Sequence, residues 1–405
     1  MFYDQLKNYA RLLVRKGINI QEGQDLVISA TVDMKDLVRL CSQVAYQEGA
    51  HEVHVIWSDD QLSQMKYLYA GEDVFSKLPS HVADELTYYQ KRGAGFLSLV
   101  GSDPELLMNV ESKRIKDYTL SRSKALKKFN NALMKNKNTW LVAAYPTPAW
   151  AQAVYPQDPQ AVEKLWEAIF KACRIDDQAE ANWDRHVAQL AEKAAFLNQA
   201  QFTKLHYKNS LGTDLTLELP KNHIWAGGAD LSQDQVPFIA NIPTEEIFTA
   251  PKKTGTQGRV YSSMPLNYAG NLIEDFYLDF KDGKVVQAQA KKGQVYLDQL
   301  LATDQDAAYL GEVALVPYDS PISNQRLLFF ETLFDENASC HLALGQAYPS
   351  SIENGESLSQ DQLLERGLND SLIHVDFMVG TGDLSIVGEK ENGEKVQIFK
   401  EGNWA

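Results

Sequence analysis

The stretch DLVISATVDMKDLVRLCSQVAYQEGAHEVHVIW, residues 25–57, carries the grammar of the first half of the chain. DLVISA (25–30) is a short apolar run of strand length. Residues 34–47 then space Leu37, Val38, Leu40, Cys41 and Val44 along one face of a helix, and HEVHVIW (51–57) returns to a strand. Strand, helix, strand is the repeat of a parallel sheet, because parallel neighbours need a crossover and a helix usually supplies it. FLSLVG (96–101) and TWLVAAYP (139–146) repeat the strand pattern after further helical stretches. Residues 158–200 read as helices, and the opening MFYDQLKNYARLLVRKG reads as an amphipathic helix stopped by Gly17.

After about residue 200 the pattern changes. KLHYKNSLGTDLTLEL (204–219) reads as a hairpin, and DFYLDFKDGKVVQAQA (275–290) as another that turns at Asp282-Gly283. A helix is expected near 293–303. The sequence therefore predicts an α/β N-terminal domain with a mostly parallel sheet over residues 1–200. An α+β C-terminal domain rich in antiparallel strands follows over 201–405.

Composition narrows the function. The 405 residues hold 54 acids against 39 bases, a net charge of −15, which argues against nucleic acid or an anionic membrane as partner. The one basic run, Lys113 to Lys128, alternates with Leu120 and Leu126 and reads as the solvated face of a helix. Nothing resembles an export signal, and no apolar run reaches the ~18 residues that span a bilayer. The three cysteines, Cys41, Cys173 and Cys340, are too scattered for a disulfide framework, so the expected location is a reducing cytoplasm.

Familiar catalytic signatures are missing: there is no GxxxxGK[ST], GxGxxG, HExxH or GxSxG. His51 and His54 fall on opposite faces of a strand and read as structural. Cys340 beside His341 reads as a small buried thiol, since sequence neighbours point apart. Four segments of the second half are different, because each sets acids or histidines in an apolar frame. They are NIPTEEIFTAP (241–251), LGEVALVP (310–317), ETLFDENASCHLALGQAY (331–348) and IHVDFMVG (373–380). His374 and Asp376, two apart on a strand, share a face. Buried carboxylates repel and each costs several kcal/mol unless a cation neutralises them. The apolar strands offer no arginine, so divalent metal is the economical cation. Glu246, Glu312, Glu336 and Asp376 carry four negative charges, which two divalent ions balance. With His341 and His374 they make six oxygen and nitrogen ligands, a set suited to Zn, Co or Mn.

These four segments resemble the signatures of the M29 metallo-aminopeptidases, the aminopeptidase T, aminopeptidase S and PepS group. LGTDLTLELPKNHIWAGG, GRVYSSMPLNYAGNLIEDFYLDFKDGKVV and GAHEVHVIWSDD extend the likeness over nearly the whole chain. The resemblance implies that Glu246, Glu312, Glu336, His341, His374 and Asp376 ligate two metal ions, with Glu312 bridging. It implies that Tyr348 is the catalytic tyrosine and that Glu312 or Glu246 steers the proton. Glu245 is not carried over, and Glu331 and Asp335 are assigned supporting or surface roles. The implied enzyme is a homodimer that removes the N-terminal residue of short peptides with a free N-terminus. A dinuclear hydrolase of phosphoesters or other amides, and a non-catalytic peptide or metal carrier, are the rival readings.

Overall fold

A computed structural model describes residues 2–268 and 271–405. Met1, at the start of the predicted first helix, lies outside the described residues. So do Ala269 and Gly270, inside one of the segments that carry the resemblance. The chain forms two compact units. The first comprises Met1–His186, Ala229–Thr244 and Leu328–Leu333; the second comprises Val187–Gly228, Glu245–Leu327 and Phe334–Ala405.

The first unit opens with α1 (Phe2–Leu12), which buries Leu6, Tyr9, Ala10 and Leu12. The chain runs straight on into a wider π turn, Leu13–Ile18, closed by Asn19 in the left-handed conformation at φ 51°. Gly17 is therefore not the stop that the sequence suggested. Its value is close approach: a Cβ there would fall 2.3 Å from Leu141 Cδ2. Then follow β1 (Asp25–Thr31), α2 (Lys35–Gln47), β2 (Glu52–Ser58), α3 (Ser80–Lys91), β3 (Gly95–Val100), α4 (Ser112–Met134) and β4 (Trp140–Ala144). The strands pair in the order β2-β1-β3-β4, all parallel. A short strand from far along the chain, Asn241–Ile242, adds beside β4. Leu26 and Ile28 point to one side of β1 and Val27 to the other, and all are buried, as helices on both faces require. Lys113, Lys116, Lys124, Lys127 and Lys128 are exposed on α4, so that part of the basic run is a solvated face.

The two N-terminal histidines have structural partners. His51 Nδ1 lies 2.8 Å from Asp25, which Arg92 also clamps at 2.6 Å. His54 Nε2 lies 2.9 Å from Glu85 and stacks on Tyr89.

In the second unit the strands pair antiparallel. The hairpin of β5 (Lys204–Lys208) and β6 (Asp214–Glu218) is followed by β7 (Ile247–Thr249), β8 (Thr256–Tyr261), β9 (Asn271–Lys281) and β10 (Lys284–Lys292). The β9–β10 turn puts Asp282 and Gly283 both at positive φ, the geometry that Asp-Gly favours. Next come α5 (Gln294–Leu301), β11 (Leu310–Leu315), β12 (His341–Gly345), β13 (His374–Met378), β14 (Ser385–Glu389) and β15 (Lys395–Lys400). A large sheet runs β9-β8-β6-β5-β14-β15, and a four-stranded sheet runs β7-β11-β12-β13. Leu205, Leu215 and Leu217 of the first pack with Val313, Leu342 and Phe377 of the second in one buried cluster. The α/β-plus-antiparallel fold class read from the sequence is what forms. Among the described residues, no helix is long and apolar enough to cross a membrane.

With period 2, burying Val313, Leu342 and Phe377 inward turns Glu312, His341, His374 and Asp376 to the other face of the small sheet. Register aligns them. Glu312 and Asp376 flank Ala343, His341 stands beside Ala314, and His374 stands beside Gly345. Small residues between the charged ones leave room over the sheet. Gly345 has φ 106°, and a Cβ there would lie 2.2 Å from the carbonyl oxygen of Ile373. Gly345→Ala is expected to lower stability by on the order of 2 kcal/mol, measured by urea unfolding, because neither the backbone angle nor the neighbouring carbonyl can yield cheaply. A loss below about 0.5 kcal/mol, the scale of an ordinary surface change, would show that the strand edge relaxes freely.

Candidate metal centre

Six candidate ligands were read from the sequence, and the fold brings five of them into two adjoining groups. Glu246 ends the turn into β7, Glu312 projects from β11, His341 from β12, and His374 and Asp376 from β13. Glu246, Glu312 and His341 form one group, and Glu312, His374 and Asp376 the other. Within each group the ligand atoms lie within 4.8 Å of one another, and Glu312 belongs to both. Its two oxygens divide the work. Oε1 faces His341 Nε2 at 3.6 Å, and Oε2 faces His374 Nε2 at 3.7 Å. His341 Nε2 is also 3.1 Å from Glu246, and His374 Nε2 is 3.5 Å from Asp376.

Both imidazoles are oriented from behind. His341 Nδ1 lies 3.2 Å from the Ser339 carbonyl and His374 Nδ1 2.7 Å from the Gln346 carbonyl. A carbonyl only accepts, so each Nδ1 donates and each Nε2 faces the carboxylates, free to carry a proton or, in its place, a metal ion; a backbone carbonyl behind Nδ1 is the usual second contact of a metal-binding histidine. His341 Nε2 and Asp376 Oδ1 are buried and make no hydrogen bond. Buried polar atoms without partners are rare and expensive. A cation among these donors would satisfy both, and the mixed nitrogen and oxygen set fits a divalent transition ion.

The electrostatics carry the same signature. Burial raises the Glu312 carboxyl to about 6, opposed by the two imidazoles and reinforced by Asp376 and Glu246. Burial, then Asp376 and Glu246, pushes Glu336 well above the carboxylate range. Burial works against charging the imidazoles, but the carboxylates outweigh it. Glu246 and Glu312 raise His341 well above its ordinary value, and Asp376 and Glu312 raise His374 to about 10. Asp376 moves the other way: burial disfavours its charge, yet His374 and His341 hold it below the ordinary range. Protons on the imidazoles therefore stand where cations would.

The remaining candidates lie outside the two close groups. Glu336 is buried outside both close groups, and Asn337 Nδ2 donates to its Oε1 at 3.4 Å. Tyr348 sets its ring edge against His374 at 5.1 Å, with Phe248 on another side at 5.7 Å. Burial, then Glu312, Asp376, Glu246 and Glu336, drives its phenol well above 10, so it keeps its proton and can donate. Glu245 is buried, and its backbone N–H donates to Asn337 Oδ1 at 2.7 Å. Asp335 is buried, not on the surface, and Glu331 is raised to about 7 by burial. Cys340 is a buried thiol pushed up to about 12, engaged with the backbone of Val316. The sequence reading passed over Asn337. Its amide holds both the Glu245 backbone and the Glu336 carboxylate, and its only linear signal was a polar residue inside a buried segment.

The comparisons agree with this geometry. The model of the Thermophilic metalloprotease (M29) family matches residues 2–404. The chain belongs to the M29 peptidase family. It is 47% identical to Aminopeptidase 2 of Geobacillus stearothermophilus over 404 residues, covering 99% of this chain and 98% of that one. The solved structure of wild-type AmpT from Thermus thermophilus superposes with a TM-score of 0.93 at 38% identity, over 100% of both chains. A dihydroxypyridine dioxygenase of Pseudomonas putida shares the fold at a TM-score of 0.56 and 11% identity, over 100% of this chain and 98% of that one. The M29 resemblance read from the four segments is thus borne out. This M29 chain is an enzyme, a hydrolase of the metallo-aminopeptidase type, and the cluster on the small sheet is its candidate centre for divalent metal.

A consequence for pH follows. Glu312, Glu336 and the two histidines all have raised affinities for protons in the metal-free chain, so cations must displace protons to bind. Metal uptake should release protons and weaken as pH falls from 8 to 6, by about tenfold per pH unit for each net proton released. Titration calorimetry in buffers of different ionisation heat measures this. Affinity independent of pH would contradict the protonated cluster.

Proposed function

We propose that the chain is a dinuclear aminopeptidase that removes the N-terminal residue from short peptides. The observation that carries this reading is Glu312, whose two oxygens face two different ligand groups. One ion would be held by Glu246, Glu312 and His341, the other by Glu312, His374 and Asp376. Glu336, close enough to feel the charges of Asp376 and Glu246, completes the set. Zinc, cobalt and manganese suit these donors. The second unit, which carries all of these residues, is the catalytic part in this reading, in place of a cut at residue 200, and the enzyme works as a cytoplasmic homodimer.

When bound, the ions supply Lewis-acid polarisation of the scissile carbonyl and a lowered pKa for the attacking water. The chain's own residues do the rest. Tyr348 keeps its phenolic proton and donates it in a hydrogen bond to the oxygen on which charge develops. Glu312 or Glu246 accepts the proton of the water and passes it to the leaving amine. The surplus of carboxylates favours a substrate that presents an ammonium group, as a free peptide N-terminus does. Among the described residues the ion-pair partners of Glu312 and Asp376 are imidazoles, not lysine or arginine, which does not suit a phosphoester. Several similar proteins carry the name aminopeptidase, which supports the same substrate class.

Hydrolysis of leucyl-p-nitroanilide tests the function. Activity should vanish after EDTA dialysis, return with zinc or cobalt, and stay absent for the N-acetylated substrate under all conditions. Cleavage that survives metal removal, or equal cleavage of the acetylated compound, would refute the reading.

Metal counting separates ligand from catalyst. Emission spectroscopy should find two ions per wild-type chain and two in Tyr348→Phe. The latter loses about 10²–10³ in kcat, or ~2.7–4 kcal/mol, with little change in KM. Glu312→Ala should lose metal together with activity. Tyr348→Phe with more than about a tenth of wild-type kcat would reduce the tyrosine to packing.

A further inference from the structure

A cavity of about 410 Å³ opens in the first unit, between the parallel sheet and helices α3 and α4. It is built from residues of that unit alone. Its floor is Ser29 of β1 and Ser98 of β3, which stand opposite one another in register. Their neighbours on the same face, Val27 and Phe96, belong to a buried apolar cluster with Leu86 and Leu126. Such positions in a helix-covered parallel sheet are ordinarily apolar. Both serines are part-buried, so a hydroxyl there that the protein does not satisfy is left to water or to a ligand in the cavity. Among the described residues, neither serine hydroxyl has a hydrogen-bond partner in the protein, and both line the cavity.

The walls are aromatic. Tyr67, on helix Asp60–Tyr69, and Tyr118, on α4, meet edge to face at 5.7 Å, and Phe129 lines the cavity beyond them. The cation is Arg122. It belongs to the basic run of α4, yet among the described residues it pairs with no acid, and no aspartate or glutamate lines the cavity. Arg122 is exposed and lines the same cavity as the two hydroxyls, and a guanidinium without an acid partner is a fork for a planar anion. The location is also apt. Strands β1 and β3 are the pair at which the order β2-β1-β3-β4 sends successive connections in opposite directions, and doubly wound sheets bind ligands near that point. Both serines lie in the carboxyl-terminal half of their strands.

We propose that this cavity binds a small carboxylate with an aromatic or other apolar body and no ammonium group. The volume lies in the lower part of the roughly 300–1,000 Å³ range of small-molecule pockets, enough for one ring and a short acid chain. The carboxylate meets Arg122 and the serine hydroxyls, and the body packs on Tyr67, Tyr118 and Phe129. An ammonium would find no acid to pair with, so a free amino acid, the kind of product an aminopeptidase makes, is disfavoured.

Calorimetry on the metal-loaded full chain tests this with four probes: 3-phenylpropionate, its uncharged amide, phenylalanine and inorganic phosphate. Saturable binding of 3-phenylpropionate, tighter than the other three, is expected. Arg122→Met and Ser98→Leu, which fills the cavity, should each weaken it by about tenfold or more. Arg122→Met changes only a surface side chain and should leave hydrolysis of leucyl-p-nitroanilide unchanged, so lost binding cannot be laid to misfolding even if Ser98→Leu folds poorly. Unaltered affinity in Arg122→Met would place the carboxylate elsewhere, such as the metal centre, and overturn the proposal. Tighter binding of phosphate, the amide or phenylalanine, or no saturable binding of 3-phenylpropionate, would overturn it equally.

Discussion

Four carboxylates are buried on or near one side of the small sheet, and their charge has to be stabilised there. Glu246, Glu312, Glu336 and Asp376 are each nine-tenths or more buried. Water cannot screen them there, and mutual repulsion adds to the cost of burial. The two imidazoles relieve part of it by taking protons, which is why His374 rises to about 10 while Asp376 falls. That relief is incomplete, since Glu312 and Glu336 are still pushed toward the neutral acid. The architecture around them follows from this constraint. Ala314, Ala343 and Gly345 keep the sheet surface low between the charged side chains. Backbone carbonyls hold both rings so that their free nitrogens face inward. On the opposite face Val313, Leu342 and Phe377 lock the strands onto the large sheet, so the charged face cannot spread to relieve itself.

Much of this was legible from the chain alone, for a physical reason. An acid inside an apolar strand is improbable unless something stabilises it, so Glu312 in LGEVALVP stood out from its neighbours. His374 and Asp376 were placed on one face by the two-residue period of a strand, and the 3.5 Å between them agrees. The parallel sheet was equally clear, because strand and helix alternate at lengths that only a crossover satisfies.

What the sequence hid depends on distant partners. Gly17 looks like a helix stop, but its reason is Leu141, over a hundred positions away. The strand Asn241–Ile242 is too short to read, and it joins the first sheet only because β4 offers an open edge. Ser29 and Ser98 are unremarkable singly; their meaning arises from a pairing between strands. Asn337 looked like one polar residue among many until the Glu245 amide and the Glu336 carboxylate converged on it.

Fold and chemistry part company in the comparisons. A protein 11% identical, named a dioxygenase, shares the architecture at a TM-score of 0.56, so the arrangement of sheets does not by itself choose a reaction. In the proposed reading the choice is made on one face of four short strands. Period and register there convert four separated segments of sequence into two groups of donors joined at a single carboxylate. A one-residue slip of β11 against β12 would turn Glu312 into the apolar core and Val313 into the cluster, exchanging the inner and outer faces of that strand. The β-bulge between Leu310 and Glu312, with Gly311 pressed against the carbonyls of Gly345 and Gln346, sits at the position that sets this register. A side chain at Gly311 would collide with those carbonyls, at 2.4 Å and 2.3 Å, before Glu312 could take its place. The glycine that precedes the shared carboxylate is therefore as much a part of the centre as the carboxylate itself.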